Sequence, residues 1–188
     1  MKIIMSNEHK KTAIHEAGHA VACYRLTPTR YVGMVTIIPN EEKSHAGAYW
    51  GEEFWPDNTA EEAQHEVMCL CAGYAACIAA GIDEVEARQG CDSDFETTEE
   101  LIRNWKLAPL KDQLRQTVEL MQQPENTQAV SRLEKELLEH ELLLGEEIDV
   151  LIDVADGEVS ELELVQYRNN AKVQVYREIR VIQLRGAA

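Results

Sequence analysis

A mainly helical chain carrying a small β-sheet is what this sequence predicts, and three observations predict it. Apolar residues recur at helical spacing through several long stretches, with capping residues before them and Gly or Pro after them. One short β-branched stretch, "RYVGMVTIIPN", lies between Pro28 and Pro39 and reads as a strand. The stretch Asn40–Gly51, with Gly47 and Gly51 in it, could return beside it as a second strand through "AGAYW".

The elements follow in order. Residues 6–27 form a helix that Ser6 or Asn7 can cap, with Ile14, Ala17, Val21 and Tyr24 as its apolar stripe and Pro28 as its stop. After the two strands, Thr59 and Glu62 make a capping box for a helix that runs to Gly81. "GCDSDFETTEELIRNWKL" opens with turn chemistry and continues as a helix from about Asp94. Beyond Pro109 and Pro124, "SRLEKELLEHELLLGEEIDVLI" reads as one amphipathic late helix using Leu133, Leu137, Leu138, Leu142 and Ile148. In the tail, "VSELELVQY" fits either element type, and "AKVQVYREIRVIQL" alternates as a strand or an appendage would.

With 188 residues, 45% of them hydrophobic, the chain has material for one ordinary core. Its net charge of −16 is concentrated between residues 36 and 100, where sixteen Asp and Glu face Lys43 and Arg88. That balance argues against nucleic acid, whose recognition rests on clustered Lys and Arg, and against an anionic membrane surface. The longest uncharged run, Val67–Ile82, is 16 residues and interrupted by Gly73 and Gly81. It is shorter than the roughly 20 apolar residues of a spanning helix, so it reads as a buried core helix and no membrane span is expected. Five cysteines without a CxxC pair, and no secretory signal pattern, point to a reducing, cytoplasmic setting.

The chemistry-bearing stretch is "TAIHEAGHAVACY". On a helix, His15 and His19 stack one turn apart and can share one tetrahedral Zn²⁺. Glu16 sits to the side of that face, off the metal but within reach of a water on it, as a general base must be. Ala17 and Gly18 leave room for a substrate or a neighbouring helix. Two histidines hold zinc weakly, so a third ligand is needed. Asp92, Asp94, Glu96, Glu99, Glu100, His45, His65 and His140 are the residues available. Asp92 also suits a helix cap, His65 an ordinary helical position, His140 a solvent-facing one, and His45 a loop or strand edge.

Four separated segments in matching order then resemble the zinc peptidase domain of FtsH, the ATP-dependent membrane protease: "TAIHEAGHAV", "VTIIPN" with "AGAYW", "GCDSDFETTEELI" and "LLEHELLLGEEIDVLI". The resemblance covers roughly residues 10–152. It implies a zincin-like, HExxH metallopeptidase domain over 1–152, with 153–188 as an extension or the completion of that domain. His15 and His19 become zinc ligands, Glu16 the catalytic carboxylate, and Asp94, four residues after Gly90, the third ligand. The implied activity is endopeptidase cleavage of unfolded polypeptide, with "VGMVTIIP" as an edge to which an extended substrate adds. A ring-forming homo-oligomer is implied as well.

The sequence departs from the family pattern in places. Cys91 stands where the family has Ala, and Thr98 and Glu99 replace an Ala-Thr pair. Gly73-Tyr74-Ala75-Ala76-Cys77 replaces a Gly-Arg-Ala-Ala-Glu segment and loses both charges. No GxxxxGK[ST] phosphate loop is present, so the expected substrates are peptides or already unfolded chains, or a separate ATPase supplies unfolding. Two other readings stay open here: a non-catalytic interaction module, and a regulatory peptidase cutting one partner.

Overall fold

The structure is a computed structural model that describes residues 7–27, 32–39, 47–51 and 59–186. It is mainly helical with a small sheet. The order is α1 (Asn7–Leu26), β1 (Val32–Thr36), β2 (Ala48–Gly51), α2 (Ala60–Ala79), α3 (Glu84–Arg88), α4 (Asp92–Trp105), α5 (Leu110–Met121), α6 (Pro124–His140), β3 (Leu142–Leu144), α7 (Gly145–Asp156), α8 (Glu161–Asn170) and α9 (Val173–Gly186). Ser6, Pro28 and His45 lie outside the described residues.

Helix α1 is the hub. It packs against α2, α6 and the sheet, and from Thr12 to Cys23 it is buried on nearly every side, with Ala13, Ala17, Ala20 and Val21 fully enclosed. Small residues allow that enclosure. A Cβ on Gly18 would lie 2.4 Å from Ala72 O and 2.6 Å from Ala76 Cβ, so Gly18 is where the two longest helices come together. Helix α2 begins as the sequence predicts: the Thr59 hydroxyl accepts from the Glu62 amide, and the Glu62 carboxylate accepts from the Thr59 amide. It ends at Ala79, with Gly81 taking the left-handed conformation just beyond (φ +82°).

Three readings need correction. The late amphipathic stretch is two helices with a strand between them. Glu141 turns left-handed (φ 61°), and Leu142–Leu144 becomes β3, pairing antiparallel with β1. Leu142 and Leu143 are completely buried there, so strand pairing satisfies both the leucines and their peptide groups. The sheet order is therefore β2–β1–β3, and β1 is the central strand, not an edge: Met34 pairs with Trp50 on one side and Leu144 on the other. Finally, "AKVQVYREIRVIQL" is helical, as α9. Its inward contacts are Val173 and Arg177, one turn apart, a helical spacing that the two-residue alternation concealed.

An ion network ties the last helices to the rest. Glu147 on α7 is fully buried, and its Oε1 accepts from Arg168 Nε on α8 at 2.8 Å and from Arg177 on α9. Arg168 also donates to Glu136 on α6, which Arg132 approaches at 3.2 Å. His140, half-buried instead of solvent-facing, lies 3.5 Å from Glu136. Removing one partner from such a network strands the others without solvent. Glu147→Ala is accordingly expected to destabilise the fold by about 3 kcal/mol or more, read as a lower urea midpoint at unchanged m-value. A midpoint equal to that of wild type would mean the arginines find other partners.

Candidate metal centre

The structure brings His15, His19 and Asp94 together from two helices and two distant parts of the chain. His15 and His19 project from the same side of α1, their Nε2 atoms 3.0 Å apart. Asp94, in the first turn of α4, puts Oδ2 3.4 Å from His15 Nε2 and 3.5 Å from His19 Nε2. Helix α4 starts at Asp92, two residues earlier than the sequence predicts, with buried Cys91 before it and no side-chain cap. Asp92 is exposed and Asp94 turns inward, so the helix phase separates the two carboxylates.

The spacing of these donors fits a small cation. A tetrahedral site with arms of about 2.0–2.1 Å has edges of about 3.3–3.4 Å. The donor separations of 3.0, 3.4 and 3.5 Å bracket that edge. Among the described residues, these three form the one cluster of His, Cys, Asp and Glu arranged to hold a metal ion.

Other groups shape the site. His19 Nδ1 lies 2.8 Å from the Cys69 carbonyl; donating there turns its Nε2 lone pair toward the cluster. Gly73 on α2 faces the ligand nitrogens: a Cβ there would lie 2.5–2.6 Å from His15 Cε1, His15 Nε2 and His19 Nε2. Only a residue without a side chain leaves that space open. Gly47, just before β2, covers Glu16 in the same manner, since its Cβ would lie 2.8 Å from Glu16 Oε1. Glu16 is buried, on the flank of α1 beside the two imidazoles.

Electrostatics make the cluster a sink for positive charge. Burial opposes the charged form of His19, yet the Asp94 carboxylate, through its hydrogen bond and its charge, and Glu16 behind it outweigh that, and the ring is pushed up to about 9. Burial would likewise raise the Asp94 carboxyl, but hydrogen bonds to His15 and His19 hold it well below the usual carboxylate range. Cys91 lies 4.0 Å from His15 Nδ1, with its thiol directed to the Ala87 carbonyl at 3.2 Å; burial pushes that thiol up to about 12, so it stays protonated at neutral pH.

Of the residues open as a third ligand, Asp94 reaches the histidines. His65 and the α4 residues Glu96, Glu99 and Glu100 stand outside the cluster, and His140 belongs to the network around Glu136. Sequence reasoning missed Gly73, Gly47 and the Cys69 carbonyl as parts of the site. For Gly73 a signal existed, because a glycine inside a long uninterrupted helix costs about 1 kcal/mol and calls for a packing reason. A main-chain carbonyl leaves no such trace.

No helix among the described residues is long and apolar enough to cross a membrane. No protein-family model matches the chain. Over 112 residues, however, it is 29% identical to the ATP-dependent zinc metalloprotease FtsH 1 of Rhodopirellula baltica, a match covering 57% of this chain and 16% of that protein. The chain thus spans a small part of its relative's length, and the likeness indicates a distant relation to FtsH.

Proposed function

We propose that the chain is a zinc-dependent endopeptidase acting on peptides or unfolded polypeptides, with His15, His19 and Asp94 holding the metal and Glu16 as the catalytic carboxylate. The observation that carries this reading is the convergence of three donor atoms at tetrahedral spacing beside a buried glutamate. Zinc held there supplies a Lewis acid that polarises a peptide carbonyl and activates water near neutral pH. The Glu16 carboxylate takes the proton of the attacking water and returns it to the departing amine. The Cys69 carbonyl keeps the His19 imidazole oriented through its Nδ1, and Gly73 keeps the ligand nitrogens of both rings accessible.

Because β1 is paired on both sides, the substrate strand adds to β2 instead, whose outer edge has no partner among the described residues. Residues 153–188 complete the same domain through Arg168 and Arg177. The metalloprotease to which the chain is similar is ATP-dependent, and an unfolding ATPase is the partner this reading proposes for folded substrates. The test is metal analysis joined to cleavage of an unfolded chain. One zinc per chain and chelator-sensitive cleavage are expected; full zinc occupancy with no cleavage of any unfolded chain would favour a non-catalytic module, and cleavage of a single partner alone would favour a regulatory peptidase.

Zinc uptake is also expected to expel a proton. Below about 9 the metal-free His19 ring is protonated, and a ligand nitrogen must be bare, so apparent affinity rises as pH climbs toward that value. Calorimetry at pH 7.5 in buffers of different ionisation heat should register about one proton released per ion from this ring, and progressively less as the pH passes 9. Release that is the same at both pH values would remove His19 from the ligand set.

A further inference from the structure

We infer that Cys91 is a positioning residue of the metal centre: its sulfur accepts the Nδ1–H of His15 and so keeps Nε2 of that ring bare for the ion. This role rests on the reading of His15 as a zinc ligand. A metal-ligating imidazole offers one nitrogen to the ion and donates its other ring N–H to a partner that fixes its tautomer and orientation. His19 has such a partner in the Cys69 carbonyl, 2.8 Å from Nδ1. For His15 the group facing Nδ1 is Cys91 Sγ at 4.0 Å, a contact at the longer reach of sulfur.

The thiol is oriented for that part. Cys91 is fully buried, and its Sγ lies 3.2 Å from the Ala87 carbonyl. A carbonyl only accepts, so the single thiol proton points to Ala87 and the sulfur meets His15 with a lone pair. Nδ1 must then carry the ring proton, which leaves Nε2, the nitrogen beside Asp94 and the Gly73 opening, free to ligate. The backbone around Cys91 is fixed as well. Its amide donates to the Arg88 carbonyl at 3.2 Å, and its own carbonyl accepts from the Phe95 amide at 2.9 Å as α4 begins. Lys11, one turn before His15 on α1, donates to the Glu86 and Gln89 carbonyls at 3.4 and 3.3 Å. The helix that carries the ring therefore also grips the turn that carries the thiol. Sulfur accepts more weakly than a carbonyl oxygen, so His15 is held less firmly than His19.

The test reads the ring N–H groups of the isotope-labelled, zinc-loaded full chain by NMR, beside zinc affinity from chelator competition, with circular dichroism and melting as folding controls. Wild type should show a slowly exchanging Nδ1–H on His15 and another on His19. In Cys91→Ala, exchange at His15 should quicken about tenfold or more and zinc affinity should fall about tenfold, the low end of what losing an outer partner costs, with His19 unchanged. Cys91→Val fills the space without offering an acceptor and should behave as Cys91→Ala does. Cys77→Ala removes a buried thiol that faces the Lys11 carbonyl and should change neither reading. Equal exchange at His15 in wild type and Cys91→Ala, unaltered zinc affinity in that variant, or loosening of His15 and His19 alike would each overturn the role of Cys91 and leave the metal centre standing. A wild type that takes up no zinc would overturn the metal centre itself, and this role with it.

Discussion

Glu16→Gln is expected to lower cleavage of an unfolded polypeptide by about 10²–10⁴-fold while leaving zinc content and fold unchanged. The substitution conserves volume, which matters because Glu16 is buried and Gly47 closes over its Oε1. What the amide loses is basicity. It can neither take a proton from water nor hand one to a leaving amine. The metal should stay, because Glu16 belongs to the flank of α1 and the donors are His15, His19 and Asp94. Activity within a few-fold of wild type would dismiss Glu16 as the base, whereas activity lost together with zinc would make it a structural support. The comparison therefore needs metal analysis on the same samples.

Asp94→Asn should weaken zinc retention beyond the roughly 10–100-fold that loss of an outer-shell partner costs, because it removes a charged ligand. It also removes the main group holding the His19 ring up at about 9, so the metal-free variant should titrate that histidine nearer its ordinary value. Asp92→Asn is the matched control: the same chemistry two residues away, at an exposed position in the first turn of α4. It should retain zinc as wild type does. Competition with a chelator ranks the three proteins, and equal loss from both variants would point to the charge of the helix start, not ligation, as what the metal needs.

How much of this was legible in the residues differs from part to part. The His15–His19 pairing follows from helix geometry alone, since a four-residue step returns two side chains to one face whatever surrounds them. The Thr59–Glu62 box and the left-handed Gly81 were equally local, being settled by hydrogen bonds and sterics within a few residues. The mainly helical class came from the same short-range periodicities. The choice of carboxylate did not: spacing left Asp92 and Asp94 both open, a family resemblance favoured Asp94, and the phase of α4 against α1 is what turns Asp94 toward the histidines.

What only the tertiary structure decided were matters of partner, not propensity. Three leucines after His140 continue a helical pattern on paper, yet they form β3 because β1 offers backbone groups that need pairing. The tail looked alternating, but it is helical because Val173 and Arg177 must face the domain together and Arg177 reaches Glu147 from across the chain. Gly73 became part of the site because α2 crosses α1 beside the imidazoles. Local sequence determines which conformations are cheap; which of them is taken depends on the free energy of burial and charge pairing between segments far apart in the chain.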